Sequence, residues 1–299
     1  MTSIPADAIL FPGFRSFDVD AGGVSIHGII GGSGPPVLLL HGYPQTHAIW
    51  HRVAPGLAKR FTLVATDLTG YGDSAKPASD ATHSPYRKSA MARDQVKAMA
   101  ALGFTRFHIV GHDRGGRVAH RLALDHPAAV QTLTLLDIAP TLHMYQQTSD
   151  AFARAYWHWF FLIKTYPVPE TLIGADPAFF IRQHMSRGAK GIDLFHPVAF
   201  GEYLRCFSDP AMIHAACEDY RASATLDMVQ DAADLGRLRI QAPVLALWGA
   251  NGAVGQCFDV LASWRDWATD VQGAAVASGH YIPEEAPEAL LDWLGRHLR

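Results

Sequence analysis

The sequence predicts an α/β fold: a mostly parallel, eight-stranded sheet with helices on both faces and an inserted helical cap. Three observations predict it. Short, wholly apolar runs such as Val37–Leu40 and Phe107–Val110 read as strands buried on both faces of a parallel sheet. These runs alternate with helical patterns, the usual way of connecting parallel strands. The alternation stops between Leu142 and Tyr220, where aromatic-rich helical stretches replace it, and resumes at Pro243.

Taken in order, Phe17–Val19 and Val24–Ile30 read as antiparallel strands around a turn at Gly22-Gly23. The run Val37–Leu40 ends in His41-Gly42-Tyr43-Pro44. Trp50–Lys59 is helical by pattern, Phe61–Thr66 is the next strand, and Asp67–Ser74 is a Gly-rich loop. Ser89–Leu102 is helical, with Gly103 just past its end. The strand Phe107–Val110 runs into Gly111-His-Asp-Arg-Gly115, and Arg117–Leu124 is helical. Leu133–Leu136 is a strand. Within the insertion, Phe152–Lys164 and Phe179–Met185 are helical. Strands return at Pro243–Gly249 and Asp270–Val276, and Pro287–Leu298 is the last helix. Residues 1–141 and 221–299 are thus expected to form the core, and 142–220 the cap.

With 299 residues and 49% hydrophobic content, the chain can bury a full core in one large domain. A net charge of −3 does not draw it to nucleic acid or to a membrane surface, so positive charge that binds an anion must be local. Cys206, Cys217 and Cys257 are odd in number and lack C-x-x-C spacing, which is neither a disulfide framework nor a zinc site and fits a reducing cytoplasm. Met1–Phe14 lacks a basic stretch followed by an apolar core, so no secretory signal is expected. No apolar run reaches ~18 residues, so no membrane span is expected either. A homodimer is an assembly the chain allows.

A strand, a tight Gly-flanked turn and a helix make a nucleophile elbow. Serine enzymes carry Ser in the middle of G-x-S-x-G; in Gly111-His-Asp-Arg-Gly115 that place holds Asp113. A carboxylate nucleophile attacks carbon and leaves an ester on the enzyme. Ligands of open parallel sheets bind at the carboxyl ends of the strands. Asp113, Asp137 after Leu133–Leu136, His280 in Ser278-Gly-His-Tyr281, and Tyr43 all fall there. A lone Asp after a strand is commonly a turn or cap residue, and one His among 16 is commonly a packing residue. Their co-occurrence in the order nucleophile, acid, histidine favours the catalytic reading, because that is the order of α/β-hydrolases. Many enzymes of this fold carry the acid one strand later. There the sequence reads Trp248-Gly-Ala-Asn-Gly-Ala-Val-Gly255, without a carboxylate, which leaves Asp137 as the acid.

His41-Gly-Tyr-Pro-Gln45, Asp67-Leu-Thr-Gly-Tyr-Gly-Asp-Ser74, Gly111-His-Asp-Arg-Gly-Gly-Arg117 and Trp157-His-Trp159 together resemble the fluoroacetate dehalogenases. These are α/β-hydrolases related to haloalkane dehalogenases and epoxide hydrolases. The resemblance runs from Phe11-Pro-Gly-Phe14 to the terminal helix. Its first two motifs are widespread in the superfamily, and the last two are far more specific. Haloalkane dehalogenases and epoxide hydrolases commonly have Trp directly after the nucleophile, where this chain has Arg114. Trp suits a neutral substrate and Arg a carboxylate. Arg117 lies three residues on and shares a helix face with Arg114. Two guanidinium forks near a helix N-terminus make an anion clamp, each charge-assisted hydrogen bond contributing ~1.5–3 kcal/mol.

The resemblance further implies halide binding by His158, Trp159 and a cap tyrosine, matched by Tyr220, with Tyr203 as its rival. On the residues alone, Tyr156–Phe161 reads rather as an aromatic core stripe. Fluoride is a small, hard leaving group that needs several hydrogen-bond donors as charge develops, and indole, imidazole and phenol supply them. The expected reaction is SN2 attack of Asp113 on a small anionic substrate, a 2-haloacetate. Hydrolysis of the ester by a water that His280 activates, with Asp137 orienting the imidazole, follows. The backbone N–H groups of Tyr43 and Arg114 are expected to hold the oxyanion. No metal and no organic cofactor is expected. The alternatives are an epoxide hydrolase using Tyr156, Tyr203 or Tyr220 as acids, a dehalogenase preferring chloroacetate or another 2-haloacid, and a ligand receptor on the same fold.

Overall fold

Eight strands form one sheet in the computed structural model, which describes residues 4–186 and 191–298. They are β1 (Arg15–Asp20), β2 (Ser25–Gly32), β3 (Pro36–Leu40), β4 (Thr62–Thr66), β5 (Phe107–His112), β6 (Val130–Leu136), β7 (Val244–Gly249) and β8 (Val271–Val276). Their order across the sheet is β1-β2-β4-β3-β5-β6-β7-β8. β2 runs antiparallel to both of its neighbours. All other pairings are parallel. Each apolar run in the sequence has become a strand. β5 lies in the middle, buried along its whole length, which is why its sequence shows no alternation. The edge strand β1 keeps only Phe17 fully inside.

Because β3 and β5–β8 are parallel, the loops after them open on one edge of the sheet. The helices Lys88–Ala101 and Arg114–Asp125 pack together beside β5. Two expected helices are broken. Trp50–Lys59 is a 3₁₀ turn, His47–Arg52, followed by a short helix, Ala54–Leu57. Pro55 sits in the first turn of that helix, where its missing N–H does no harm, so a fresh start is favoured over continuation. Phe152–Lys164 is two helices, Asp150–Ala155, capped by the Ser149 side chain, and Trp157–Leu162, with the break at Tyr156.

Among the described residues between β6 and β7, helices are the regular elements from Thr141 to Asp234, and they form the cap region. Its expected end at Tyr220 falls inside the helix Pro210–Ala222, which continues through a π-helical turn, Ser223–Asp227, into Met228–Asp234. No Gly or Pro stands between Ala211 and Leu235 to stop it, and Gly236, at φ +79°, marks its end. Positions 187–190 of the cap lie outside the described residues. Among the described residues, no helix is long and apolar enough to cross a membrane.

Cap and core are joined by buried polar contacts. Glu284 follows His280 on the short helix Ile282–Glu285. Its carboxylate accepts from Gln45 Nε2 at 2.7 Å, in the loop after β3, and from Tyr203 Oη at 3.1 Å, in the cap helix Pro197–Phe207. Burial pushes the Glu284 carboxyl up to about 8 despite these donors. The native state therefore holds a proton there that the unfolded chain releases near its ordinary value of ~4.3. Stability from this group is complete below that value and is lost as pH rises through about 8. Thermal melts at pH 5 and pH 9 should show wild type losing roughly 5 °C more than Glu284→Gln between the two. Equal losses would sink this assignment.

Candidate active site

β5 delivers Asp113 into a sharp turn at φ 47°, ψ −114°, and the helix begins at the next residue. A non-glycine residue in that region costs ~1–3 kcal/mol and persists only where its surroundings hold it. Here the Asp113 N–H donates to Leu136 O at 3.3 Å, its carbonyl accepts from Arg117 N at 3.2 Å, and its Oδ1 accepts from Tyr43 N at 2.9 Å. Two glycines make room. A Cβ on Gly115 would lie 2.3 Å from His41 O, and one on Gly42 would lie 2.4 Å from Asp113 Cβ. Burial alone would raise the Asp113 carboxyl. Coulombic attraction from His280, Arg117 and Arg114 outweighs it and holds the pKa at about 2, so the group is ionised at neutral pH.

Asp137 is the first residue after β6, at φ 50°. Its N–H donates to Leu247 O at 2.7 Å and its Oδ1 accepts from Gly249 N at 2.9 Å, fastening it to β7. Its Oδ2 lies 2.6 Å from His280 Nδ1. The structure thus brings Asp113, Asp137 and His280 to one edge of the sheet. The loop after β7, which lacks an acid, passes directly over this carboxylate: a Cβ on Gly252 would lie 3.3 Å from Asp137 Oδ1. The two strands can deliver an acid to the same spot, and here β6 does so.

The arginines differ from expectation. The fork of Arg114 does not face open space, because Nε donates to Asp219 Oδ2 at 2.8 Å and Nη2 to Oδ1 at 2.7 Å. Nη2 also reaches Ser223 Oγ at 2.6 Å. Only Nη1 has no hydrogen-bond partner among the described residues. Arg117 Nη1 donates to Ala139 O at 3.1 Å and Thr141 Oγ1 at 2.9 Å, Nη2 faces Met144 Sδ at 3.1 Å, and Nε has no such partner. The reason is burial. A guanidinium in the interior must be paired or fully hydrogen-bonded, so most of each fork is taken by protein. The two cations also lie over aromatic rings, Arg114 4.1 Å from the Tyr220 centroid and Arg117 4.6 Å from that of Trp159.

Asp219 was missed in the sequence. Besides Arg114 it accepts from Tyr71 Oη at 2.7 Å and pairs with Lys88, which lies 3.6 Å from Asp227 as well. Arg114 and Lys88 hold its carboxyl far below the usual range against the opposing effect of burial. The available signal was physical: two arginines beside a buried elbow require a buried acid, and Asp219 adjoins Tyr220.

His158, Trp159 and Tyr220 are brought together. The ring of Tyr220 lies 5.9 Å from His158, 6.2 Å from Trp159 and 5.4 Å from Tyr43. Trp159 Nε1 and Tyr220 Oη are buried without a hydrogen-bond partner among the described residues. Burial and the nearby Asp113 raise the Tyr220 hydroxyl well above its ordinary pKa, which keeps it a donor. Tyr203 stands elsewhere, its hydroxyl committed to Glu284. A cavity of about 610 Å³ lies beside His280, between Tyr156, Trp157 and His184 of the cap and Asn251 and Tyr281 of the core. Among the described residues three groups have metal-ligand types close together, Asp7/His27/His47, Asp73/Glu202/Cys206 and Glu170/His214/Glu218. None includes Asp113, Asp137 or His280.

Comparison with known proteins gives the family. The family described as alpha/beta hydrolase fold matches residues 35–287. The chain belongs to the α/β-hydrolase family. This hydrolase is 46% identical to a fluoroacetate dehalogenase of Burkholderia sp over 280 residues, 93% of this chain and 92% of the relative. It is 33% identical to a soluble epoxide hydrolase of Corynebacterium sp. (strain C12) over 277 residues, 90% of this chain and 92% of the relative. The crystal structure of ALR0039 from Nostoc sp PCC 7120 superposes with a TM-score of 0.93 at 54% identity, covering 95% of this chain and 98% of that one.

Asp219→Ala would leave Arg114 and Lys88 buried without their shared countercharge. Urea unfolding should show a loss of ~3–5 kcal/mol, the usual cost of breaking a buried pair from one side. A loss below about 1 kcal/mol would place the pair among surface-like contacts instead.

Proposed function

We propose that this hydrolase removes the halogen from a 2-haloacetate, with fluoroacetate as the substrate and glycolate and fluoride as products. The observation that carries this reading is a set of four buried donors near an ionised carboxylate. Arg114 Nη1, Arg117 Nε, Trp159 Nε1 and Tyr220 Oη all lack a hydrogen-bond partner among the described residues. Arg114 lies over Tyr220, Arg117 over Trp159, and the two rings adjoin, so the four form one cluster, and such a cluster of unpaired donors fits an anionic ligand. The 46% identity to a fluoroacetate dehalogenase supports the same choice of substrate.

Arg114 Nη1 and Arg117 Nε hold the substrate carboxylate and align the carbon–halogen bond. The Tyr43 N–H engages Asp113 Oδ1, leaving Oδ2 to attack the α-carbon. The new C–O bond forms as the C–X bond breaks, and the halide leaves with the bonding pair. His158, Trp159 and Tyr220 donate to it as charge develops. Asp113 now carries an ester. His280, oriented through Nδ1 by Asp137, takes a proton from water as the hydroxide equivalent adds to the ester carbonyl. The oxyanion is held by the backbone N–H groups of Tyr43 and Arg114. Collapse breaks the ester C–O bond. The glycolate oxygen recovers the proton from His280, and Asp113, restored with one oxygen from water, releases the remaining water proton to solvent and is again a carboxylate. No step calls on a metal or an organic cofactor.

The second reading is an epoxide hydrolase, favoured by the Corynebacterium relative. It requires cap hydroxyls that protonate a ring oxygen, and it leaves Arg114 Nη1 and Arg117 Nε without an anion to bind. Tyr203 is unsuited because its hydroxyl already serves Glu284.

Incubation with fluoroacetate, chloroacetate, a 2-halopropionate and a neutral epoxide should give halide from the haloacids and no diol. Diol without halide would overturn the assignment. In His280→Asn the ester should persist and appear as an intact-mass adduct that Asp113→Asn lacks. Arg117→Met removes one charge-assisted bond and should lower kcat/KM for haloacetate by roughly 10–100-fold. Because Asp113 ionises at about 2, the single-turnover halide burst should show no acid limb from this group between about pH 4 and 8.

A further inference from the structure

A second histidine lies beside the base and has no part in the two-step scheme. His112, the last residue of β5, is fully buried. Side chains alternate along a strand, so it projects to the face opposite Gly111, which abuts the elbow helix. Its Nε2 lies 2.8 Å from the carbonyl oxygen of His280. The two rings are 4.7 Å apart at 49°. A carbonyl only accepts, so Nε2 carries the proton. Nδ1 is buried without a hydrogen-bond partner among the described residues. Burial, with His280 beside it, pushes the His112 pKa down to about 3, so the ring is neutral at working pH.

The loop carrying His280 follows β8, and two strands separate β8 from β5. No ladder bond can therefore join base to nucleophile. Glu285 accepts from Gly279 N at 2.7 Å and Tyr281 N at 2.8 Å, which shapes the loop from within. Asn251 N donates to Ser278 O at 3.0 Å, which ties the loop to the end of β7. The bond from His112 ties it to the nucleophile strand itself, at the peptide of the base. Asp137 orients one ring nitrogen, but where the ring stands relative to Asp113 depends on where its backbone is held.

We propose that His112 is a positioning residue that holds His280 in register with the Asp113 ester, so that its contribution falls on ester hydrolysis and not on halide displacement. This rests on the two-step reading above, since only the second step uses His280.

The test compares wild type, His112→Gln, His112→Met and His112→Asn, with His280→Asn as reference, on fluoroacetate and chloroacetate. Gln places an amide nitrogen close to where Nε2 stood, Met fills the volume without a donor, and Asn carries a donor that falls short. A rapid-quench halide burst reads displacement, and steady-state turnover with intact mass reads hydrolysis. In His112→Met and His112→Asn the burst should stay within about threefold of wild type while hydrolysis slows by ~10–100-fold and ester accumulates, the scale expected when a catalytic group is misplaced by about 1 Å. His112→Gln should recover most of the turnover. Turnover at the wild-type rate without ester in Met and Asn would overturn the proposal, as would equal loss of both steps that Gln does not repair. If His280→Asn traps ester and the His112 variants do not, positioning alone fails. If His280→Asn traps none, the two-step reading fails and takes this proposal with it.

Discussion

An ionised carboxylate buried at a strained turn is the constraint around which this site is organised. Asp113 is driven toward protonation by burial and kept ionised by surrounding charge. Those charges are themselves buried. Arg114 is stabilised by Asp219, and Asp219 by Lys88 and Tyr71. Removing one member leaves another uncompensated, so the set acts as a unit. The elbow is held in the same way, its backbone by Leu136 and Arg117 and the Asp113 carboxylate by the Tyr43 N–H.

That arrangement couples the cap to the core. Asp219 and Tyr220 are neighbours on one cap helix, and one pairs with the side chain of Arg114 while the other lies under it. Glu284 makes a second connection, through Tyr203 and Gln45. The π-helical turn after Ala222 lies next to the first connection and includes Ser223, whose hydroxyl accepts from Arg114. An inserted turn of this kind shifts which residues face inward, and such turns recur at functional sites.

Much of the core was legible because local pattern and tertiary environment agree there. Apolar runs such as Val37–Leu40 and Phe107–Val110 fit strands between two helical layers, and each became one. Boundaries were less legible where a single residue decided them, as with Pro55, or where a stop signal was missing, as from Ala211 to Leu235. The placement of Asp113, Asp137 and His280 at strand ends was readable from the chain order and the strand pattern. The surroundings of Arg114 were not, since Asp219 lies 105 positions away and nothing local marks it as a partner.

By itself, then, the sequence determined the sheet, the elbow, the carboxylate at its apex and the absence of an acid after β7, because each follows from local periodicity, glycine placement or residue type. Only the tertiary structure decided how much of each arginine remains for a ligand, which cap tyrosine stands near Asp113, and what holds the backbone of His280. These depend on long-range pairing of buried polar groups. Which donor meets which acceptor is set by how the helices and loops pack, and that information is spread over the whole chain.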